Sequence, residues 1–301
     1  MNIAAALQQG KSRLFYAEVE TPLLDATLLL SEALGKSKEL LLASLPDPVA
    51  EEGLQRFHSF LQMRCSGLPV SYIRRKKEFY SLEFYVDERV MVPRPETELL
   101  VEEALAILKA VPGLKRVHDA CTGSGCVAVA LKSSLPELEV SASEFLPEAL
   151  EVAAINIRRL LQPADRGRFT RRLRRRAPVR LHRSDLLSRV PGRYDLITAN
   201  PPYLSDLEAE NMRKAGWPEP QIALRGGADG TDLLRRLIRQ APRKLSSSGY
   251  LLLEAAAGQM KGLAGELAAQ GFEEIVVAPD LAGRGRLIRG RLGSYGGDRR
   301  A

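Results

Sequence analysis

Cysteine and histidine are scarce in this sequence, with three of each in 301 residues. Cys65, Cys121 and Cys126 make neither an even disulfide framework nor a paired zinc pattern, and His58, His118 and His182 are scattered, so no metal site is expected. No apolar run is long enough to span a bilayer, and Met1-Asn2-Ile3 lacks the basic-then-apolar opening of a signal peptide. A cytoplasmic protein with no membrane partner is expected. There is no Gly-Lys-Ser/Thr phosphate loop. Net positive charge is also missing from most of the chain. The net charge is +7, yet nine arginines against Asp165 alone put +8 between Pro163 and Arg183 and leave the rest at −1. That distribution argues against a broad nucleic-acid-binding face. It leaves one local insertion, Arg166 to Arg176, which reads either as a solvated loop or as a contact for RNA or ribosome phosphates.

What the sequence does have is apolar residues, 45% of the total, enough for a substantial core and a length that suggests two domains. Residues 1–67 carry leucine and alanine at helical spacing, with Thr21-Pro22 and Gly35 bracketing one helix and Asp47-Pro48 and Gly67 the next. A helical domain suited to recognising a partner is expected there. Residues 68–94 turn aromatic and β-branched around Ser81, the pattern of a β-hairpin linker. Residues 95–293 alternate strand and helix, and residues 294–301 form a tail expected to fray. Arg94, Glu96 and Glu98 either cap the first helix of the third segment or line the mouth of a site.

The chemistry concentrates at the end of one apolar strand, Tyr194 to Ala199, which runs into Asn200-Pro201-Pro202-Tyr203. Neither proline has an N–H, and each pushes the preceding residue toward an extended form, so the loop is stiff and presents bare acceptors. The Asn200 side-chain oxygen and the Pro201 carbonyl can converge on one NH2 group, with the Tyr203 ring as a flat wall. Such a pocket suits an amide or an amino-purine. The same four residues would also serve as a rigid turn. An amide nitrogen is a poor nucleophile because its lone pair is delocalised, so the partner must be an activated electrophile placed in line.

Three strand tips point to that partner. Asp119-Ala120-Cys121-Thr122-Gly123-Ser124-Gly125 is a glycine turn between a strand and a helix, where polar ligand groups can approach backbone N–H donors. The next strand ends at Glu144, placed to accept two ribose hydroxyls, and a third ends at Asp185-Leu186, an acceptor and an apolar side chain that can hold adenine. The turn lacks the lysine or arginine that a pyrophosphate favours. A nucleoside without phosphates is therefore expected, and S-adenosylmethionine, with its activated methyl, fits both halves of the site.

These residues resemble the class I S-adenosylmethionine-dependent methyltransferases, and within them the protein-glutamine N5-methyltransferases that modify peptide-chain release factors. The likeness covers nearly the whole chain. It includes Val92-Pro93-Arg94-Pro95-Glu96-Thr97-Glu98, the turn from Asp119 to Gly125, Asn200 to Tyr203, Glu219-Pro220-Gln221-Ile222-Ala223-Leu224, Leu251-Leu252-Leu253-Glu254 and Asp280-Leu281-Ala282-Gly283-Arg284. The resemblance implies a Rossmann-like seven-stranded sheet, mostly parallel with one antiparallel strand, behind a helical N-terminal domain and a hairpin. It implies the glutamine of a Gly-Gly-Gln release-factor loop as substrate. Carried over by position, Cys121, Thr122, Gly123, Ser124, Gly125, Glu144, Leu186 and neighbouring Asp185 meet the cofactor, and Asn200 to Tyr203 bind the glutamine, with Asn200 also abutting the cofactor. Asp119 orients the turn. Cys121 stands where the family has glycine, so its side chain either crowds the cofactor or alters the turn. The arginine insertion is outside the family pattern. A monomer is expected.

Three other readings stay open. A ribosomal-protein glutamine would need the same tetrapeptide. Adenine-N6 methylation of nucleic acid uses it too, against which stands the absence of a basic reading face. A non-catalytic ribosome-binding module would rely on the arginine insertion.

Overall fold

Asparagine, proline and serine at helix starts divide the N-terminal segment into short helices. The structure, a computed structural model, describes residues 1–162 and 178–293. Both the arginine insertion Arg166 to Arg176 and the tail 294–301 lie outside the described residues. The chain divides into two units, Met1–Lys76 with Ala215–Pro218, and Lys77–Lys214 with Glu219 onward.

In the first unit α1 (Ile3–Tyr16) starts on Asn2, whose Oδ1 accepts Ala5 N–H at 2.9 Å. As expected, α2 (Pro22–Leu34) begins on its proline and ends at Gly35, with φ +62°. A short α3 (Lys38–Ala43), capped by Ser37, was not expected. The next helix, α4 (Glu51–Cys65), starts later than Asp47-Pro48, because those residues are held beside the N-terminus. Ile3 N donates to Asp47 O at 3.0 Å and Val49 N to Met1 O at 2.9 Å. Ile3, Leu14, Leu29, Leu30, Phe57 and Leu61 form the core. The part of the linker segment around α5 (Val70–Arg74) is helical rather than extended.

The second unit opens with the hairpin β1 (Lys77–Phe79) and β2 (Leu82–Phe84). Tyr80 and Ser81 turn it with φ of +50° and +58°, the two positive values of a tight hairpin turn. The main sheet then takes β3 (Arg116–Ala120), β4 (Glu139–Glu144), β5 (Val179–Arg183), β6 (Tyr194–Ala199), β7 (Leu245–Glu254), β8 (Phe272–Pro279) and β9 (Gly285–Leu292). Their order is β5-β4-β3-β6-β7-β9-β8, and β9 alone runs against the rest. This is the expected mostly parallel, seven-stranded Rossmann-like sheet. Helices α6 (Glu98–Ala110), α7 (Cys126–Ser134), α8 (Pro147–Leu161), α10 (Asp232–Gln240) and α11 (Met260–Ala269) complete it. Strands buried on both faces read as apolar runs, as in Leu251-Leu252-Leu253, all fully buried. His118, in the middle of β3, is core: its ring nitrogens lie 2.8 and 2.9 Å from Ser141 and Ser143 hydroxyls, and burial pushes its pKa down to about 3. Among the described residues no helix is long and apolar enough to cross a membrane.

The long connection after Tyr203 contains α9 (Asp206–Lys214). Only Ala209 is buried on it, so hydrophobic periodicity gives no signal. A capping box does: Ser205 N donates to Glu208 Oε2 at 2.8 Å while Glu208 N reaches Ser205 Oγ at 3.3 Å. Because β3 has β4 on one side and β6 on the other, the chain crosses over in opposite senses from its two edges and leaves a crevice at the carboxyl ends of those strands.

Candidate active site

β3 delivers its chain to that crevice through a left-handed turn. Cys121 has φ +55°, Gly123 +52° and Gly125 +81°. The cysteine therefore keeps the glycine-like turn by adopting a conformation that costs a side chain about 1–2 kcal/mol. Its thiol is pushed well above the ordinary range by burial first and by Glu144 and Asp119 next, so it stays protonated and is no nucleophile. Asp119, at the end of β3, ties this turn to the neighbouring strand. Thr122 Oγ1 donates to its Oδ2 at 2.5 Å and Thr198 Oγ1, on β6, to its Oδ1 at 2.9 Å.

Burial raises the Asp119 pKa to about 7 against the pull of those two hydroxyls. The folded protein thus keeps a proton that the unfolded chain releases near the ordinary carboxyl pKa of about 4. The stability from that proton is complete below about pH 4 and is lost as pH rises through about 7. Asp119→Asn should flatten this fall, seen as urea-unfolding midpoints that differ less between about pH 4.5 and about pH 7.5 than in the unmodified protein.

At the tip of β4, Glu144 Oε2 accepts Gly123 N at 3.0 Å and Oε1 accepts Phe145 N at 2.7 Å. Each carboxylate oxygen has two lone pairs, so acceptor capacity remains for a ligand. Burial raises its pKa despite those bonds. At the tip of β5, Leu186 is again left-handed, φ +51°, and Asp185 Oδ2 receives Arg236 of α10 at 2.5 Å. Non-glycine residues in this conformation store strain and cluster at binding sites.

β6 runs into Asn200, whose Nδ2 donates to Thr97 Oγ1 at 3.0 Å, which leaves Oδ1 as the end of the amide free to accept. Pro201 is buried. Tyr203 packs against the core and sends its hydroxyl toward Glu254 Oε1 at 3.4 Å. Burial, then the Glu254 charge, raises the Tyr203 pKa to about 12. The Gly226–Gly230 turn closes over this loop, with Gly226 N donating to Leu204 O at 2.7 Å and Leu204 N to Leu224 O at 3.0 Å.

A cavity of about 650 Å³ joins these strand tips. Residues 121–124, Glu144, Asp185, Leu186, Asn200 and Pro202 line it; Gly125, Pro201 and Tyr203 do not. Its volume falls in the range of small-molecule sites. Thr97, Asp119 and Arg236 line it too. Asp119 was expected only to orient the turn. Thr97 lay in a segment that resembles the family without a role of its own.

None of Arg94, Glu96 and Glu98 lines the cavity, and Glu98 stands in the first turn of α6, as the helix-start reading expected; Arg94 and Glu98 also tie down other parts of the fold. Arg94 Nη2 lies 2.7 Å from Glu219 Oε2, whose other oxygen accepts Val92 N at 3.1 Å, and Glu98 Oε1 accepts Tyr80 N at 2.8 Å. The Glu219 side chain is 1% exposed and that of Arg94 36%. Arg94→Ala would leave a buried carboxylate short of its cation, a change that costs 3–5 kcal/mol in a fully buried pair; half-open Arg94 reduces this to roughly 2–3 kcal/mol. Chemical denaturation of the second unit should show that loss.

Two family models match the sequence, one described as PrmC N-terminal domain over residues 5–74 and one as methyltransferase small domain over residues 96–215. The chain is 37% identical over 294 residues to the release factor glutamine methyltransferase of Cereibacter sphaeroides, covering 97% of this chain and 99% of that protein. It is 34% identical over 303 residues to the release factor glutamine methyltransferase of Koribacter versatilis, covering 97% and 99%. Among solved structures, the hMettl16 catalytic domain in complex with MAT2A 3′UTR hairpin 6 superposes with a TM-score of 0.53 at 14% identity, over 74% of this chain and 78% of that one. The last is a likeness of fold.

Proposed function

The chain belongs to the release factor glutamine methyltransferases, and from that premise we propose that the cavity at the tips of β3, β4, β5 and β6 is where a release-factor glutamine receives a methyl group on its side-chain nitrogen. The donor that fits is S-adenosylmethionine, which when bound supplies a methyl carbon already activated by a sulfonium. Residues 121–125 would hold it through the left-handed turn, Glu144 would accept the ribose hydroxyls with its spare lone pairs, and Asp185 and Leu186 would flank the base. The fit rests on the turn, on the open acceptors of Glu144 and on a cavity of about 650 Å³.

The substrate amide is held by acceptors. Asn200 Oδ1 and the Pro201 carbonyl take one amide hydrogen each and favour a pyramidal nitrogen whose lone pair faces the donor. Held so, the nitrogen would take the methyl carbon as the donor departs as a neutral thioether, and its surplus proton would pass to water. Pro202 stiffens the loop, and Tyr203 supports it from the core side through Glu254. Orientation of this kind is worth up to roughly 7–11 kcal/mol. The observation that carries the reading is the Asn200 amide, pinned by its nitrogen to Thr97 at 3.0 Å, on the wall of the same cavity as residues 121–124 and Glu144.

The test is incubation with methyl-labelled S-adenosylmethionine and purified release factors, followed by mass spectrometry of the modified peptide. Label on the Gly-Gly-Gln glutamine is the expected result. Label confined to a ribosomal protein or to DNA would reassign the substrate.

A further inference from the structure

Asparagine is a weak helix former and its amide is costly to bury unless it is well bonded, yet α8 carries one on its core face. Asn156 is fully buried. Its amide is bonded to backbone at three points: Oδ1 accepts Tyr85 N at 2.7 Å, and Nδ2 donates to Tyr85 O and to Ser124 O, each at 2.9 Å. Two stretches of the cavity wall meet in that one side chain. Ser124 belongs to the left-handed turn, of which residues 121–124 line the cavity. Tyr85 follows β2 and opens the stretch that leads to Arg89, Val90, Met91 and Pro93, which line it as well.

The same face of α8 meets the turn a second time. Ala153, three residues earlier, stands against Gly125, where an added Cβ would lie 3.3 Å from the Ala153 Cβ. Ala149, a further turn back, lines the cavity itself. Spacings of four and three residues put the three side chains on one stripe of the helix. The stretch from Tyr85 has a further tie to α8, since Arg89 Nη1 reaches Glu151 Oε2 at 2.8 Å, but the Glu151 side chain is 68% exposed and such a pair holds weakly. Resting on the reading of this cavity as the donor site, we infer that Asn156 is a positioning residue for S-adenosylmethionine: by bonding Tyr85 and Ser124 at once, it sets the separation between the turn and residues 89–93, and with it donor affinity. Each wall has local bonds of its own, Gly125 N to Thr122 O at 2.8 Å and Val90 N to Asp87 O at 3.2 Å. Without the amide their shapes persist and their register on each other is lost.

The test is calorimetric titration of the full-length protein with S-adenosylmethionine, beside thermal unfolding and release-factor turnover. Asn156→Ala and Asn156→Asp should raise the Kd for the donor at least about tenfold, because a site that must be ordered on binding loses affinity. Asn156→Asp keeps the shape and the acceptor for Tyr85 N and loses both donated hydrogens, so it decides the matter should the alanine form not fold. With the donor saturating, release-factor KM should stay within about twofold and kcat within about threefold of native in both variants, since the Asn200 loop is untouched. Ile157→Ala is the control for stability alone: Ile157 is the next residue of α8, buried in the core and not on the cavity wall. Its melting temperature should fall at least as far as that of Asn156→Asp, with the donor Kd within about twofold of native. An unchanged Kd in the Asn156 variants would overturn the inference, as would an equal rise in Ile157→Ala. A native protein that binds no S-adenosylmethionine would remove the donor reading and this inference with it, whereas tight native binding matched by Asn156→Asp removes the inference alone.

Discussion

Asn200→Ala is expected to lower kcat by roughly 100- to 1000-fold, the loss seen when one preorganised polar group is removed from a reacting centre. The effect should be that large because two things disappear together. One of two acceptors for the substrate amide is gone, and the remaining Pro201 carbonyl can hold one hydrogen but cannot fix the rotation of the nitrogen. A misaligned lone pair forfeits much of what positioning supplies. Affinity for S-adenosylmethionine should change by no more than about threefold, because the left-handed turn and Glu144 are untouched, and interactions made only at the reacting atoms appear in kcat rather than in binding. Asn200→Asp retains an acceptor but removes the donor that Thr97 receives. Its turnover should fall between alanine and native, so the pair separates acceptance from orientation. Single-turnover rates beside calorimetric titration of the donor distinguish these outcomes. Native turnover in Asn200→Ala would dismiss the role assigned to this side chain, and loss of donor binding would move it to the cofactor half of the site.

What the sequence makes legible here is local. The glycine turn from Cys121 to Gly125, the acid at the tip of β4 and the Asn200 loop are each a few consecutive residues, and each lies where strand-then-turn chemistry placed it. The order of the sheet follows the family resemblance, and β9 is its one antiparallel strand. Long-range support could not be read. Thr97 meets Asn200 across 103 residues and Glu219 meets Arg94 across 125. No periodicity connects such pairs; they become neighbours only when the crevice forms. Cys121 is an intermediate case. Its departure from glycine was visible, and only the backbone shows that it keeps φ +55° rather than reshaping the turn. Ser205 and Glu208 mark the start of α9 in the sequence, but a helix that buries little lacks the apolar stripe by which helices are recognised. The tyrosine of the tetrapeptide shows the limit of motif reading: its ring supports the loop from the core side and leaves the cavity wall to Asn200 and Pro202.

The same long-range dependence makes Gly230 the position where one methyl group should do most harm. Gly230 has φ +75°, and a Cβ there would stand 2.2 Å from the Tyr203 carbonyl oxygen and 2.7 Å from Gln259 Nε2. The side-chain contact can yield by rotation. The carbonyl cannot, because it is backbone of the Asn-Pro-Pro-Tyr loop and already accepts Gln259 Nε2 at 2.9 Å. Gly230→Ala therefore carries the left-handed penalty of about 1–2 kcal/mol and an overlap relieved only by moving the loop, for a total of roughly 3–4 kcal/mol. Activity should fall further than stability does. A displacement of about 1 Å at the loop misaligns the Pro201 carbonyl and Asn200, and that alone costs about 100-fold. Gly262→Ala is the matching control, since Gly262 lies on the exposed face of α11 with nothing within 4 Å of the added carbon. Relief of glycine's backbone entropy should there raise stability by about 0.5–1 kcal/mol and leave turnover alone. Thermal unfolding and steady-state rates on the two variants test the argument, because the same added methyl must produce opposite signs. A Gly230→Ala protein with native melting and native kcat would show that the glycine turn does not brace the loop on which the amide chemistry depends.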